Sequence, residues 1–171
     1  MERNSQTLHF ERAVPADLPE VLRLFQAATK RMDEQGIPQW DEVYPNREVL
    51  YEDIAHEELY LCRIEGKIAC VFVLSEHCDE EYAAGTWRSP ESRFCVLHRL
   101  CVHPDFQHRK VAARAMDYIE ESLRQAGVES VRLDAFSLNP YALRLYESRG
   151  YERVGQVHFR KGLFYLYEKQ L

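Results

Sequence analysis

At Val111 the hydrophobic pattern of the chain changes its period, and this switch constrains the fold more than any other feature of the sequence. Before it, Phe94 to Val102 is a β-rich run that stops at His103-Pro104. After it, Val111, Ala112, Ala115, Met116, Ile119 and Leu123 share one helical face, while Arg114, Asp117, Glu121 and Arg124 take the other. Gly127 ends that helix, and Val131 to Phe136 resumes as a strand. A chain that passes from strand through a short polar loop into a helix, and back into a strand, belongs to an α/β domain.

The flanking sequence fits the same class. Leu8 to Ala13 alternates like a first strand. Asp17-Leu18-Pro19-Glu20 reads as a capping box, with Asp17 as N-cap and Glu20 reaching back, before Leu18, Val21, Leu22, Phe25 and Ala28 at helical spacing. Gly36 lies past the end of that helix, and Ile37 to Asp41 reads as a turn that exposes Trp40. A second helix is expected from Arg47 to Glu57. Strands Leu59–Ile64 and Lys67–Leu74 meet at the Glu65-Gly66 hairpin signal. The acidic, then Gly-, Ser- and Pro-rich stretch from His77 to Arg93 is expected to be a long loop. Asn139-Pro140 starts a further helix that Gly150 closes. Tyr151–Phe159 and Leu163–Glu168 form a terminal hairpin around Lys161-Gly162. Its Phe159, Phe164, Tyr165 and Tyr167 suit either a homodimer edge or the core. No repeat or linker interrupts this order, so residues 1–171 are expected to form a single domain.

Composition narrows the function. Hydrophobic residues are 46% and charged residues 29% of 171, an ordinary globular balance with room for a real core. The net charge of -6 disfavours nucleic acid as a partner, because phosphate binding needs a basic face. The first six residues carry no apolar signal core, and no apolar run approaches the roughly 20 residues that span a bilayer. The expectation is a cytoplasmic chain without membrane contact. Its five cysteines, Cys62, Cys70, Cys78, Cys95 and Cys101, are odd in number and include no C-x-x-C pair. That argues against a disulfide framework or a zinc site, and no metal is expected. Cys101 as a covalent nucleophile lacks any sequence sign of an activating partner.

The junction at Val111 has chemical meaning as well. A loop that runs from a strand into a helix aims unpaired backbone N–H groups and the positive end of the helix dipole at one spot, which suits phosphate. Arg109, Lys110 and Arg114 sit beside it. Taken alone, the same residues also describe a solvated basic turn. Neither G-x-x-x-x-G-K-[ST] nor G-x-G-x-x-G occurs, so the P-loop and the dinucleotide fingerprint are excluded.

Leu100-Cys101-Val102-His103-Pro104, followed by Gln107-His108-Arg109-Lys110-Val111-Ala112, resembles the acetyl-CoA loop of GCN5-related N-acetyltransferases (GNAT), Gln/Arg-x-x-Gly-x-Gly/Ala after a strand. Asn139-Pro140-Tyr141-Ala142-Leu143-Arg144-Leu145-Tyr146-Glu147-Ser148-Arg149-Gly150-Tyr151 resembles the family's second signature, N-x-x-A-x-x-L-Y-E-x-x-G-F/Y. The two stand in the family's order, separated by a helix and a strand. Lys110 replaces the first loop glycine, a residue used where backbone approaches a ligand closely or adopts unusual dihedrals.

The resemblance implies a central mixed, mostly antiparallel sheet of about seven strands flanked by four helices. It implies transfer of acetyl from acetyl-CoA to a primary amine of a small molecule or peptide, by direct attack in a ternary complex. Pantetheine would lie between the strands of Val102 and Leu133, held by Leu100, Cys101 and Val102. Gln107 and the amides from His108 through Arg109, Lys110, Val111 and Ala112 to Ala113 would bind pyrophosphate, and Asn139 the pantetheine arm. Tyr146 matches the tyrosine that protonates the departing thiolate. Asp134 or His98, directly or through water, would take the amine proton, with strand alternation placing His98, Leu100 and Val102 on one face. Trp40, Asp41, Tyr44, Tyr51 and Asp134, with the turn Asp79-Glu80-Glu81 nearby, are candidates for acceptor binding. The alternative on the same fold is a non-catalytic CoA-binding sensor or interaction module, which Lys110 favours and Tyr146 and Asn139 disfavour.

Overall fold

The computed structural model describes residues 6–171; residues 1–5, which the targeting argument includes, lie outside the described range. Seven strands form one sheet in the order β1-β2-β3-β4-β5-β7-β6, with four helices among the described residues. In chain order these are β1 (His9–Arg12), α1 (Leu18–Glu34), α2 (Arg47–Ala55), β2 (Leu59–Ile64), β3 (Lys67–Ser75), β4 (Phe94–Val102), α3 (Val111–Gln125), β5 (Ser130–Phe136), α4 (Pro140–Ser148), β6 (Glu152–Phe159) and β7 (Gly162–Gln170). Every neighbouring pair is antiparallel except β4 and β5. That exception follows from α3, because a crossover helix returns the chain in the same direction. None of the helices is long and apolar enough to cross a membrane.

The sheet buries both faces. On one, Met116, Ile119 and Ala115 of α3 and Tyr146 of α4 pack on Cys95, Leu97, Val131 and Leu133. On the other, Val21, Leu24 and Phe25 of α1 and Leu50 and Ile54 of α2 cover Leu59, Leu61, Val71 and Val73. The β5–β7–β6 half of that second face is covered by Tyr82 and Ile37 instead of a helix. Phe164 and Tyr167 of the terminal hairpin are buried, so these aromatics serve the core.

The local expectations fail where tertiary contacts outcompete them. Asp17 is the N-cap of α1 but makes no capping bond to its helix. Its carboxylate accepts from Val14 N–H (2.8 Å) and from Arg63 Nη2 (2.8 Å), while Glu20 accepts from Ile68 N–H (3.1 Å). The half-buried Arg63 guanidinium draws both carboxylates to β2, and a charged partner outweighs a neutral N–H. Trp40, expected to be exposed, is buried against Phe25 with ring centroids 5.2 Å apart. Helix α2 stops at Ala55, ahead of Glu57 in the left-handed region (φ 58°). The 77–93 loop contains a 3-10 turn, Glu80–Ala84, whose Tyr82 is wholly buried.

One irregularity positions the site. Val73 opposes His98 and Val71 opposes Cys101, so β4 carries one residue more than β3 over this stretch, and Arg99 takes a left-handed φ of 51°. This is a β-bulge, and it reverses the alternation beyond it. Leu100 and Val102 therefore pack on the α3 side with Cys95 and Leu97. His98 lies on the opposite side from Leu100 and Val102, contrary to the alternation expected from sequence. Pairing of β4 with β5 ends at Leu97 and Leu133, after which β4 follows β3 and β5 follows β7. A cleft opens between them.

The 3-10 turn depends on a close approach. A Cβ added at Gly155 on β6 would lie 3.0 Å from Gly85 Cα and 3.2 Å from Ala84 O, both backbone atoms. Gly155→Val is expected to destabilise the protein by about 1–3 kcal/mol in denaturant titration, since the turn must move to admit the side chain.

Candidate active site

Two cavities meet below the splayed ends of β4 and β5. The first, of about 580 Å³, is bounded by β4, the 103–110 loop, the start of α3, one face of α4, and the end of α1 with Gln35 to Trp40. The loop is built from turns: His103 Nδ1 accepts from Asp105 N–H (3.0 Å) over a 3-10 turn at Pro104–Phe106, and His108 and Lys110 both adopt left-handed φ (64° and 61°). Lys110 is the N-cap of α3 and makes no side-chain capping bond, so the first N–H groups of α3 remain available to an anion. Its position asks for the conformation that glycine adopts without strain, and lysine accepts it at about 1–2 kcal/mol. The Lys110 side chain is exposed, so the substitution adds a charge at the rim without filling the loop.

Leu100, Cys101, Val102, Gln107, His108, Lys110, Val111, Ala112, Ala113, Asn139 and Tyr146 all line this cavity. Arg109 does not. It is exposed, with its guanidinium 5.4 Å from the Phe106 ring centre and 3.2 Å from Gln6 Oε1. Asn139 is committed on both sides of its amide, Oδ1 accepting from Ala142 N–H (3.1 Å) and Nδ2 donating to Gln39 Oε1 (2.8 Å). Arg144 and Ser148 line the cavity too and were not singled out from sequence. Their spacing from Tyr141 and Leu145 on one face of α4 was the available signal.

The second cavity, of about 740 Å³, lies on the α1 side of the sheet and shares Leu100, Asn139, Ala142 and Tyr146 with the first. Asp134 and His98 face each other here: His98 alternates with Leu97 ahead of the bulge, which turned Leu100 and Val102 to the other side. Carboxylate oxygens of Asp79 and Asp134 and a ring nitrogen of His98 all lie within 4.8 Å of one another, close enough to hold a cation among them. Burial pushes the Asp134 carboxyl up to about 6, and nearby Asp79 adds to this. The Tyr82 hydroxyl, donating to Asp134 Oδ2 at 2.7 Å, and the Arg99 charge oppose it. Burial, then Arg99, lowers the His98 imidazole, which is neutral at pH 7. Both groups are thus proton acceptors near neutrality. Tyr146 is 7% exposed, and burial raises its phenol well above the ordinary value, so it stays a neutral donor.

Arg99 anchors the wall. Its Nε and Nη2 donate to Asp53 Oδ2 and Oδ1 (2.9 and 2.6 Å), and Nη1 donates to the Tyr44 hydroxyl (2.6 Å). Trp40 lines both cavities and Tyr44 the second; Tyr51 is exposed on α2 and lines neither, and Asp41 instead pairs with Arg160 (2.7 Å) and Lys161 (3.4 Å). Cys101 is buried with its thiol raised by desolvation, which removes it as a thiolate nucleophile. Tyr82 and Arg99 were not found from sequence. One lies in a stretch with loop composition, and the other required a bulge to reach the site.

Two outcomes follow for Asp134. Tyr82→Phe removes a hydrogen bond to the charged form, so the carboxyl titration, followed by 13C NMR, is expected to move upward from about 6. The folded-state value exceeds the unfolded one of about 3.9, so the carboxylate lowers stability as pH rises through that window. Asp134→Asn should therefore melt higher than the parent above pH 7, with the difference closing toward pH 4.

The family profile described as Acetyltransferase (GNAT) family matches residues 22–151. The fold superposes with a TM-score of 0.83 on a GNAT-family acetyltransferase of Streptococcus agalactiae 2603, which is 21% identical over 96% of this chain and 95% of that one. A GNAT-family acetyltransferase of Listeria monocytogenes 4b F2365 gives 0.79 at 20% identity, covering 100% and 99%. The PaiA N-acetyltransferase of Thermoplasma acidophilum, solved in complex with coenzyme A, gives 0.72 at 14% identity, covering 96% and 99%. At these identities the structural likeness is one of fold. The profile match runs from α1 to the residue that follows Gly150, through both motifs and both cavities: the chain belongs to the GNAT acetyltransferase family.

Proposed function

We propose that the protein transfers the acetyl group of acetyl-CoA to a primary amine by direct attack, with the donor in the first cavity and the acceptor in the second. The observation that carries this reading is the junction of the two cavities at Tyr146, with Asp134 and His98 on the acceptor side. The coenzyme A complex of the PaiA N-acetyltransferase, which shares the fold, supports the choice of donor.

In this reading the open amides at the start of α3 and the Lys110 ammonium hold the pyrophosphate, and Arg144 adds a further cation. Backbone groups of Leu100 and Val102, which have no partner on the β5 side, hold the pantetheine arm and polarise the thioester carbonyl. Asn139 fixes the start of α4 and joins it to Gln39. Asp134, assisted by His98 or a water, accepts the ammonium proton. The freed nitrogen lone pair forms the C–N bond, the C–S bond breaks, the Tyr146 hydroxyl supplies the proton that leaves with the thiol, and the nitrogen's second proton, directly or through water, restores that hydroxyl. The non-catalytic alternative gains nothing from the site, because Lys110 does not obstruct the loop and a base and an acid face the junction.

The test is calorimetric titration with acetyl-CoA, followed by thiol-release assays with amines. Tyr146→Phe is expected to lower kcat by about 10²-fold while acetyl-CoA affinity changes little. In the parent, kcat/KM should fall below about pH 6 as Asp134 protonates. Lys110→Glu should weaken acetyl-CoA binding by about tenfold through like charge at the pyrophosphate. Absence of acetyl-CoA binding in the parent would refute the reading.

A further inference from the structure

The acceptor cavity carries more negative charge than deprotonation of one ammonium requires. Asp134 lies in it beside the exposed Asp79, Glu58 lies near His98 just ahead of β2, and Glu81 stands at the rim on the same turn as Tyr82. Among the described residues none of these carboxylates pairs with a lysine or arginine, and Glu58 has only His56 at 3.9 Å. The lining cations are already engaged, Arg99 with Asp53 and both Arg160 and Lys161 with Asp41. Carboxylates gathered in a cavity without counter-charge favour a cationic occupant.

Two features of the cavity bear on its occupant. The Tyr146 hydroxyl, on a residue only 7% exposed, makes no hydrogen bond to another described residue where the cavities join. It is therefore free to donate to an occupant of the junction. The 37–46 segment is also fastened across the cavity at three places. Gln39 Oε1 accepts from Asn139 on α4, Asp41 pairs with Arg160 and Lys161 at the β6–β7 turn, and the Tyr44 hydroxyl accepts from Arg99 in the bulge. This strap roofs the space that an extended peptide would need to run through. Trp40, Tyr44, Phe159 and Phe164 line what remains, with aromatic faces that attract cations.

We infer that the acceptor is a compact aliphatic diamine or polyamine. Its reacting nitrogen sits among Asp134, His98 and Asp79 beside Tyr146, and its second cationic nitrogen is held by Glu58 and Glu81. The inference rests on the acetyl-transfer reading above. One nitrogen gives its proton to Asp134 and forms the C–N bond as the C–S bond breaks, while the other stays protonated and is the handle for binding.

The experiment measures CoA thiol release by the purified protein with acetyl-CoA and α,ω-diaminoalkanes of graded length. The matched n-alkylamines, matched ω-amino acids and a short peptide with a free N-terminus are run alongside. The best diamine is expected to exceed its matched monoamine in kcat/KM by about tenfold or more, equivalent to about 1.4 kcal/mol for the second cation. Glu81→Gln and Glu58→Gln should each shrink that ratio, chiefly through KM. Calorimetry on the CoA-loaded protein should show diamine binding that the monoamine does not match. A monoamine, an ω-amino acid or the peptide serving as well as the best diamine would overturn this inference and leave acetyl transfer standing. Transfer to no amine at all, or no binding of acetyl-CoA, would overturn the acetyl-transfer reading and this inference with it.

Discussion

The site depends on Arg99. Its left-handed backbone inserts one extra residue into β4, and its guanidinium is held in a two-point ion pair by Asp53 with a third bond to Tyr44. A bulge alone would bend the strand; the ion pair and the Tyr44 bond tie the bend to α2 and to the segment over the second cavity. From this one feature follow the divergence of β4 from β5 and the return of Leu100 and Val102 to the α3 face, away from the side that His98 takes by alternation with Leu97. The two cavities thus meet where the strands have parted, and both also reach Gln39 and Trp40. A regular β4 would have kept the ladder with β5 going and closed that passage.

Asp134 illustrates how a scaffold sets a proton affinity. The same carboxylate on the surface would be fully ionised well below neutrality. Here β5 places it under Tyr82, close to Asp79 and away from any direct cation, and its affinity rises toward the range in which a base both exists unprotonated and retains driving force. Tyr82 reaches it because Gly155 and Gly85 let the 3-10 turn lie against β6. The loop with the least regular composition thereby contributes two groups to the site. Charge held without a counter-ion lowers stability, and its placement at the cavity marks where stability yields to function.

The sequence carried the elements well because their signals are local. Strand β4 has the bounds expected from its composition, α3 begins at the residue where the period changes, and Asn139-Pro140 caps α4 as the pair suggests. The two motifs led to the family and to the β4, loop, α3 and α4 residues of the first cavity, but not to Ala28, Met32, Gln35 and Ile37, which line it from the α1 side. The motif residues lie close together in the chain, on a loop and two helix starts whose geometry follows from turn and capping preferences. The second cavity was harder to read: Trp40 is buried and not exposed, Tyr51 is exposed and lines neither cavity, and Tyr82 was hidden within a stretch that resembled ordinary loop. In the 103–110 loop, Arg109 stays outside the first cavity.

What the sequence by itself determined is therefore the order and kind of the elements, the parallel crossover through α3, and the residue at which that helix starts. Periodicity, caps and backbone N–H groups depend on neighbours within a few residues, so they can be read along the chain. Only the tertiary structure decided that His98 and Leu100 take opposite faces, which carboxylates gather around Asp134, and what roofs the second cavity. Those outcomes rest on pairs far apart in sequence, Arg99 with Asp53, Tyr82 with Asp134 and Asp41 with Arg160, whose charges and hydroxyls find one another only after the sheet has assembled.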